Sequence, residues 1–201
     1  MRISFLFFAT VIILTSCSNN SNTTATTPDT AITVADTPAP KNYFPVNDFI
    51  KEEINYADTY FGTYTKYVTT GNKKDSLVIK PEEFKQLARE FTTDDLSKTA
   101  LEKDYAEASF IDQTTGMATF TYSTGNDSLS VKRIDVLAKQ GEGFDKINSI
   151  YIEKMYSIGD TAIRKKINWK SHKNVQVITE TTIGKQAPKI NHYKIVWDAV
   201  E

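Results

Sequence analysis

The chain has one cysteine, Cys17, and two histidines, His172 and His192, in 201 residues. A lone cysteine excludes an internal disulfide framework, so the fold must rest on its apolar core. Two histidines offer little material for a metal site. His172 lies in the polar stretch Lys170-Ser171-His172-Lys173-Asn174, expected as a solvated turn. His192 falls on a strand face with Ile190, Lys194, Val196 and Asp198. A metal pair would need a particular strand register and added carboxylates, and a histidine-centred triad has no better support. Charge of one sign is also lacking. With 24 Lys and Arg against 25 Asp and Glu, nothing draws the chain toward nucleic acid. The GxSxG elbow, Walker loop, HExxH, GxGxxG and EF-hand patterns are all absent, so no catalytic, cofactor or metal residue is assigned.

A long hydrophobic run is missing too. Ile3 to Leu14 is apolar apart from Ser4 and Thr10 and follows Arg2. A membrane-crossing helix needs about 20 apolar residues. This shorter run, with a basic residue before it, matches a secretory signal. It ends not in an A-x-A-like site but in Leu14-Thr15-Ser16-Cys17, an aliphatic residue, two small ones and cysteine. That pattern resembles the lipobox of bacterial lipoproteins. The resemblance implies cleavage after residue 16, a diacylglycerol thioether on Cys17 and acylation of the new amino terminus. A thiol consumed by lipid also accounts for an exported chain with no second cysteine.

From Ser18 to Lys41 the composition turns to Ser, Asn, Thr, Ala, Asp and Pro. Such a stretch cannot offset its ordering entropy by burial and is expected to be a tether with a reach on the order of 25–30 Å. The expected organisation is therefore a signal peptide over 1–16, a lipidated cysteine and tether over 17–41, and one domain over 42–201. Ser18 lacks the acidic character that such proteins use for inner-membrane retention, and residues 18–22 hold no acidic cluster for surface export. The resemblance thus implies an outer-membrane lipoprotein facing the periplasm, held in the membrane through Cys17, with the cell surface as the second choice.

The domain reads as α+β, with N-terminal helices on a curved antiparallel meander of about six to eight strands. Val46, Phe49, Ile50, Ile54, Ala57, Tyr60 and Phe61 recur at helical steps, with Asn47 or Asp48 as cap. A second helix follows Lys80-Pro81-Glu82-Glu83 and buries Phe84, Leu87, Ala88 and Phe91. A third follows Thr92-Thr93-Asp94-Asp95 and uses Leu96, Leu101, Tyr105 and Ala108. Beyond Phe110 the rhythm becomes alternating: 118–122, 130–138, 147–157, 162–169, 175–183 and 190–197 are expected strands. The echo TGNKKDSLVIK (70–80) and TGNDSLSVK (124–132), with IGDTAIRK (158–165), reads as a reused turn. It predicts an extra hairpin from Tyr64 to Ile79 between the first two helices.

The same segments contain Asp75-Ser76-Leu77, Asp127-Ser128-Leu129 and Asp160-Thr161-Ala162, and the tether contains Asp29-Thr30-Ala31. These resemble a three-residue O-glycosylation sequon of exported bacterial proteins, which makes Thr30, Ser76, Ser128 and Thr161 candidate sites. Turn chemistry is the plainer reading of the last three.

Paired acids are present at Asp94-Asp95 and among Glu102, Asp104 and Glu107, where capping and solvation explain them better than glycosidase chemistry. In the strand over 162–170, Arg164, Lys166 and Lys170 oppose Ile163, Ile167 and Trp169. Lys165 on the apolar side predicts an edge or a bulge. Residues 42–112 carry 9 basic against 14 acidic residues, and 113–201 carry 13 against 9. The plainer account is that acidic helix faces and basic strand faces attract each other and the solvent; the sharper one is a basic surface for anionic partners such as lipid headgroups or glycans. A sheet covered by helices could also enclose an apolar pocket, as in periplasmic lipoprotein carriers and NTF2-like domains, an analogy of fold alone. The expected function is a non-catalytic binding or scaffolding domain for an envelope protein, an apolar ligand or a glycan. The alternative is an envelope hydrolase with an unassigned acidic site.

Overall fold

The computed structural model describes residues 43–60, 62–92, 98–141 and 143–197. Helix α1 (Val46–Thr59) buries Val46, Phe49, Ile50, Glu53 and Ala57. Its cap is Pro45 with no side-chain bond, so Asn47 and Asp48 lie inside the first turn rather than capping it. The extra hairpin forms as expected: strands β1 (Tyr64–Thr70) and β2 (Lys73–Ile79) are joined at Gly71, whose φ of 59° is open to glycine without strain. Helix α2 (Pro81–Ala88) has Pro in its first turn with Glu82 and Glu83, which suit the positive helix end. A 3-10 turn, Arg89–Phe91, continues it, and Phe84, Ala88 and Phe91 are buried.

Helix α3 (Lys98–Asp104) is shorter than the expected third helix. Leu101 and the following Tyr105 are buried as its stripe requires, but Ala106–Asp112 is strand β3. Seven cross-strand pairs with β4 (Met117–Ser123) outweigh the helical propensity of Ala106 and Ala108. The meander continues through β5 (Val131–Lys139), β6 (Ile147–Ile158), β7 (Thr161–Lys170), β8 (Asn174–Ile183) and β9 (Lys189–Val196).

The sheet has nine strands in the order β2-β1-β9-β8-β7-β6-β5-β4-β3, every neighbour antiparallel. It is open, with β2 and β3 at its edges. Nine strands rather than six to eight follows from the unforeseen β3. The helices are also not all N-terminal, since α2 and α3 sit between β2 and β3. The first hairpin closes onto the last described strand through Thr65 to Thr70 against β9. Of the echoed turns, Gly159 also adopts a left-handed φ of 59°, whereas Gly125 does not and the segment after Ser123 is a longer loop.

Alternation assigns each strand residue to one of two faces. Ile150, Ile152, Ile167, Trp169, Val175, Val177 and Ile195 lie on the helix-covered face, each no more than 1% exposed. Aromatic rings fill the space between the layers. Trp169 stands 5.4 Å from Trp197 and 5.6 Å from Phe91, and Phe84 stands 5.3 Å from Trp197. Such offset and edge contacts contribute about 0.5–1.5 kcal/mol each beyond their buried area.

Two polar clusters fasten the helices to this face. Glu53 is 2% exposed. It accepts bonds from Trp169 Nε1 (2.9 Å), Ser171 Oγ (2.9 Å) and the His172 backbone N–H (2.8 Å). His172 Nδ1 lies 3.2 Å from its other oxygen. The β7–β8 turn is thereby tied to α1. The second cluster centres on Glu90, which pairs with Lys165 and accepts a bond from Tyr193 OH at 2.8 Å, while Lys154 donates to its backbone carbonyl. A cation at the end of a helical segment is favoured by the exposed carbonyls there. Lys165 thus lies on the apolar side because Glu90 neutralises it. Strand β7 is central, with ten regular pairs to each neighbour, neither an edge nor a bulge.

Burial, and then the Glu90 carboxylate, raises the Tyr193 phenol far above its ordinary pKa. Burial also raises Tyr64 and Tyr122 above 10.0. A raised pKa here means that the neutral phenol is the folded form. Stability is therefore complete below pH 10 and falls as pH rises above it, because the unfolded chain then releases these protons. In an alkaline titration followed by tyrosinate absorbance, we expect a subset of the ten tyrosines to ionise only as circular dichroism reports unfolding. Tyr193→Phe should remove one member of that late group. Ionisation of all tyrosines near pH 10 with the fold intact would contradict the assignment.

Candidate binding surface

No residue on the opposite face of the sheet is fully buried among the described residues. Strand register sets its side chains in rows. Tyr67, Lys194, Gln176, Asn168, Tyr151 and Asp135 stand side by side across β1, β9, β8, β7, β6 and β5. Thr69, His192, Ile178, Lys166, Glu153 and Arg133 form the adjacent row. The face is mostly polar, the pattern of a sheet solvated on one side, with Val78, Phe110, Met155 and Ile190 as its exposed large aliphatic and phenyl side chains.

Charge on this face is divided unevenly. Asp135 is held by Arg133 Nε at 2.9 Å and by Thr121 Oγ1 at 2.7 Å, and Glu153 by Arg164 Nε at 3.1 Å. Lys166, Lys170 and Lys194 make no ion pair or side-chain hydrogen bond among the described residues, and neither does Glu180. Tyr67 is 49% exposed. Burial, then the Glu153 and Asp135 carboxylates, raise the Tyr151 phenol, with Arg133 and Arg164 pulling it back. At one end, a groove of about 530 Å³ is lined by Met155, Ser157, Arg164, Glu180 and Thr182 from this face, by Tyr156 and Ile163 between them, by Asp127 from the β4–β5 loop and by Lys132 at the start of β5.

The expected opposition of Arg164, Lys166 and Lys170 to Ile163, Ile167 and Trp169 is present along β7. The histidines are apart. His172 is no free loop residue: it sits at φ 58° against Glu53 and 4.0 Å from the Tyr56 ring. His192 is mid-strand on the open face, and its Nε2 is buried without a hydrogen-bond partner. Among the described residues no group of three or more His, Cys, Asp or Glu is placed to hold a metal ion. Glu102 and Asp104 belong to α3. Glu107 belongs to β3 instead, with Oε2 buried and unbonded, and its charge helps raise Tyr122. Asp94 and Asp95 lie outside the described residues, as do Cys17 and Thr30.

Ser76 and Ser128 are exposed and Thr161 is half-buried. Ser128 follows turn logic, its Oγ bonding Asn126 Oδ1 at 2.6 Å. Ser76 lies within edge strand β2 rather than in a turn. No described helix is long and apolar enough to cross a membrane. Glu53 and Glu90, which organise both clusters, went unmarked in the sequence reading. The available signal was a carboxylate at 53 on the apolar stripe formed by Phe49, Ile50 and Ala57. Comparison with protein-family profiles and with curated proteins gave no match.

Proposed function

We propose that the protein is a lipid-anchored envelope lipoprotein whose α+β domain is a non-catalytic binding module, engaging its partner through the open face of the sheet. The observation that carries this reading is the asymmetry of the two faces. One is filled by helices, interlocked rings and two polar clusters. The other is uncovered, bears exposed Tyr67 and leaves three lysines unpaired. A monomer gains nothing in stability from unpaired like charges set in one area, whereas a binding surface uses them.

Lipid on Cys17, a signal over 1–16, a tether over 17–41 and an outer-membrane, periplasm-facing location complete the proposal. They rest on the lipobox pattern and on the composition of residues 18–41. We also read the sheet as curved: the pairing of β5 with β6 shifts register at Val131/Arg133 and Leu137/Ala138, and bulges of this kind bend a strand. Ser128, exposed beside the β4–β5 turn, and Thr30 in the tether are the favoured glycosylation positions. They are read from the same intact mass as the lipid.

A photo-crosslinker placed at Asn168, central on the open face, is expected to give adducts in the native envelope, whether protein, glycan or lipid. The same group at Lys51 on α1 is expected to give none. Adducts from Lys51 alone, equal labelling from both, or none from either would overturn the open-face reading.

A further inference from the structure

Resting on that reading, we infer that the open face holds a linear anionic glycan laid across the strands between Tyr67 and Tyr151. The two tyrosines share one row and are separated by Lys194, Gln176 and Asn168. Four strand intervals at the usual spacing put them roughly 19 Å apart, a span suited to a short oligosaccharide rather than a single sugar. Each chemical element of such a ligand has a counterpart. A tyrosine ring offers a flat apolar body for the C–H face of a pyranose, with a hydroxyl at its tip. The Gln176 and Asn168 side-chain amides each carry donors and an acceptor, the combination that hydroxyl groups satisfy.

Charge decides the kind of glycan. Lys194 adjoins Gln176 in the row, and Lys166 and Lys170 stand two residues to either side of Asn168 along β7. The nearby acids Asp135 and Glu153 are already neutralised by Arg133 and Arg164. Glu180 lies at the groove end, opposite Arg164. The centre of the row is therefore cationic, and carboxylates repeated along a sugar chain complement it. A lipid headgroup surface would instead draw on apolar side chains to insert. The exposed apolar side chains of this face surround the row without joining it: Val78 and Phe110 lie on the edge strands β2 and β3, and Met155 and Ile190 stand two rows away, beside Arg164 and Glu180.

The test uses the full chain carrying Cys17→Ser, so that no lipid contributes, with circular dichroism confirming the fold of each variant. Titration calorimetry with short polygalacturonate oligosaccharides is expected to detect binding that weakens as salt rises. Cello-oligosaccharides of equal length, which are neutral, should bind at least about tenfold more weakly. Tyr67→Ala and Lys166→Glu should each weaken polygalacturonate binding by about tenfold or more, and Lys51→Glu on α1 should leave it unchanged. Equal affinity for the neutral and acidic sugars, an unchanged affinity in both open-face variants, or binding only to vesicles of phosphatidylcholine and phosphatidylglycerol would overturn the inference. If no sugar binds while Asn168 still crosslinks in the envelope, only the glycan assignment fails. Loss of those crosslinks as well removes the open-face reading beneath it.

Discussion

Replacing Glu53 with alanine is expected to lower the melting temperature by roughly 10 °C, from a loss of about 3–5 kcal/mol spread over a domain of this size. Trp169 is 1% exposed and its Nε1 bonds only Glu53 among the described residues. The His172 N–H and Ser171 Oγ turn to the same carboxylate. Removing one acceptor leaves a buried indole N–H unpaired, and an unmet buried donor costs about 1–3 kcal/mol by itself. Loss of side-chain volume beneath α1 adds a cavity term.

Two further variants separate these causes. Glu53→Leu restores volume but no acceptor, and should be destabilised nearly as much as Glu53→Ala. Glu53→Gln keeps one carbonyl oxygen and should fall between Glu53→Ala and the parent. Thermal and denaturant unfolding by circular dichroism gives the values, and hydrogen exchange at the His172 amide gives a local reading. Near-parental stability in Glu53→Leu would mean that packing alone, without the polar hub, seats α1 on the β7–β8 turn.

The same residues mark how far the sequence could be read. Strands β4 to β9 and the β1–β2 hairpin were legible because alternation and turn residues are local signals, and the described boundaries fall close to those expected. Helix α2 was legible from Pro81, Glu82 and Glu83 for the same reason. Strand β3 was not. Ala106, Glu107 and Ala108 favour a helix locally, and only the partner strand, supplied later in the chain, makes them a sheet edge. Lys165 was misread as an edge residue because its compensation comes from Glu90, 75 positions earlier. His172 looked solvated because Glu53, 119 positions away along the chain, is its partner through the backbone N–H. The candidate surface required register: Tyr67 and Tyr151 become members of one row only when five strands are aligned. Sequence periodicity assigns a face to each strand but does not order the strands.

Changing Cys17 to serine should release nearly all of the protein from the membrane fraction. Each acyl CH₂ buried contributes about 0.8 kcal/mol, one myristoyl-length chain binds only reversibly, and two or more chains hold firmly. No described helix is long and apolar enough to span a bilayer, and the proposed tether is rich in Ser, Thr, Asn and Pro. Without the thiol, lipid transfer cannot take place. Lipobox processing requires that lipid, so the variant should also keep residues 1–16 or be cut elsewhere. Fractionation with detergent phase partition measures the release. Intact mass of the parent should correspond to a chain beginning at Cys17 and carrying acyl groups. A serine variant that stays membrane-bound with its signal removed at the same bond would show that Cys17 is not the anchor. The domain's reach from the membrane would then have to be set by something other than the 24 residues from Ser18 to Lys41.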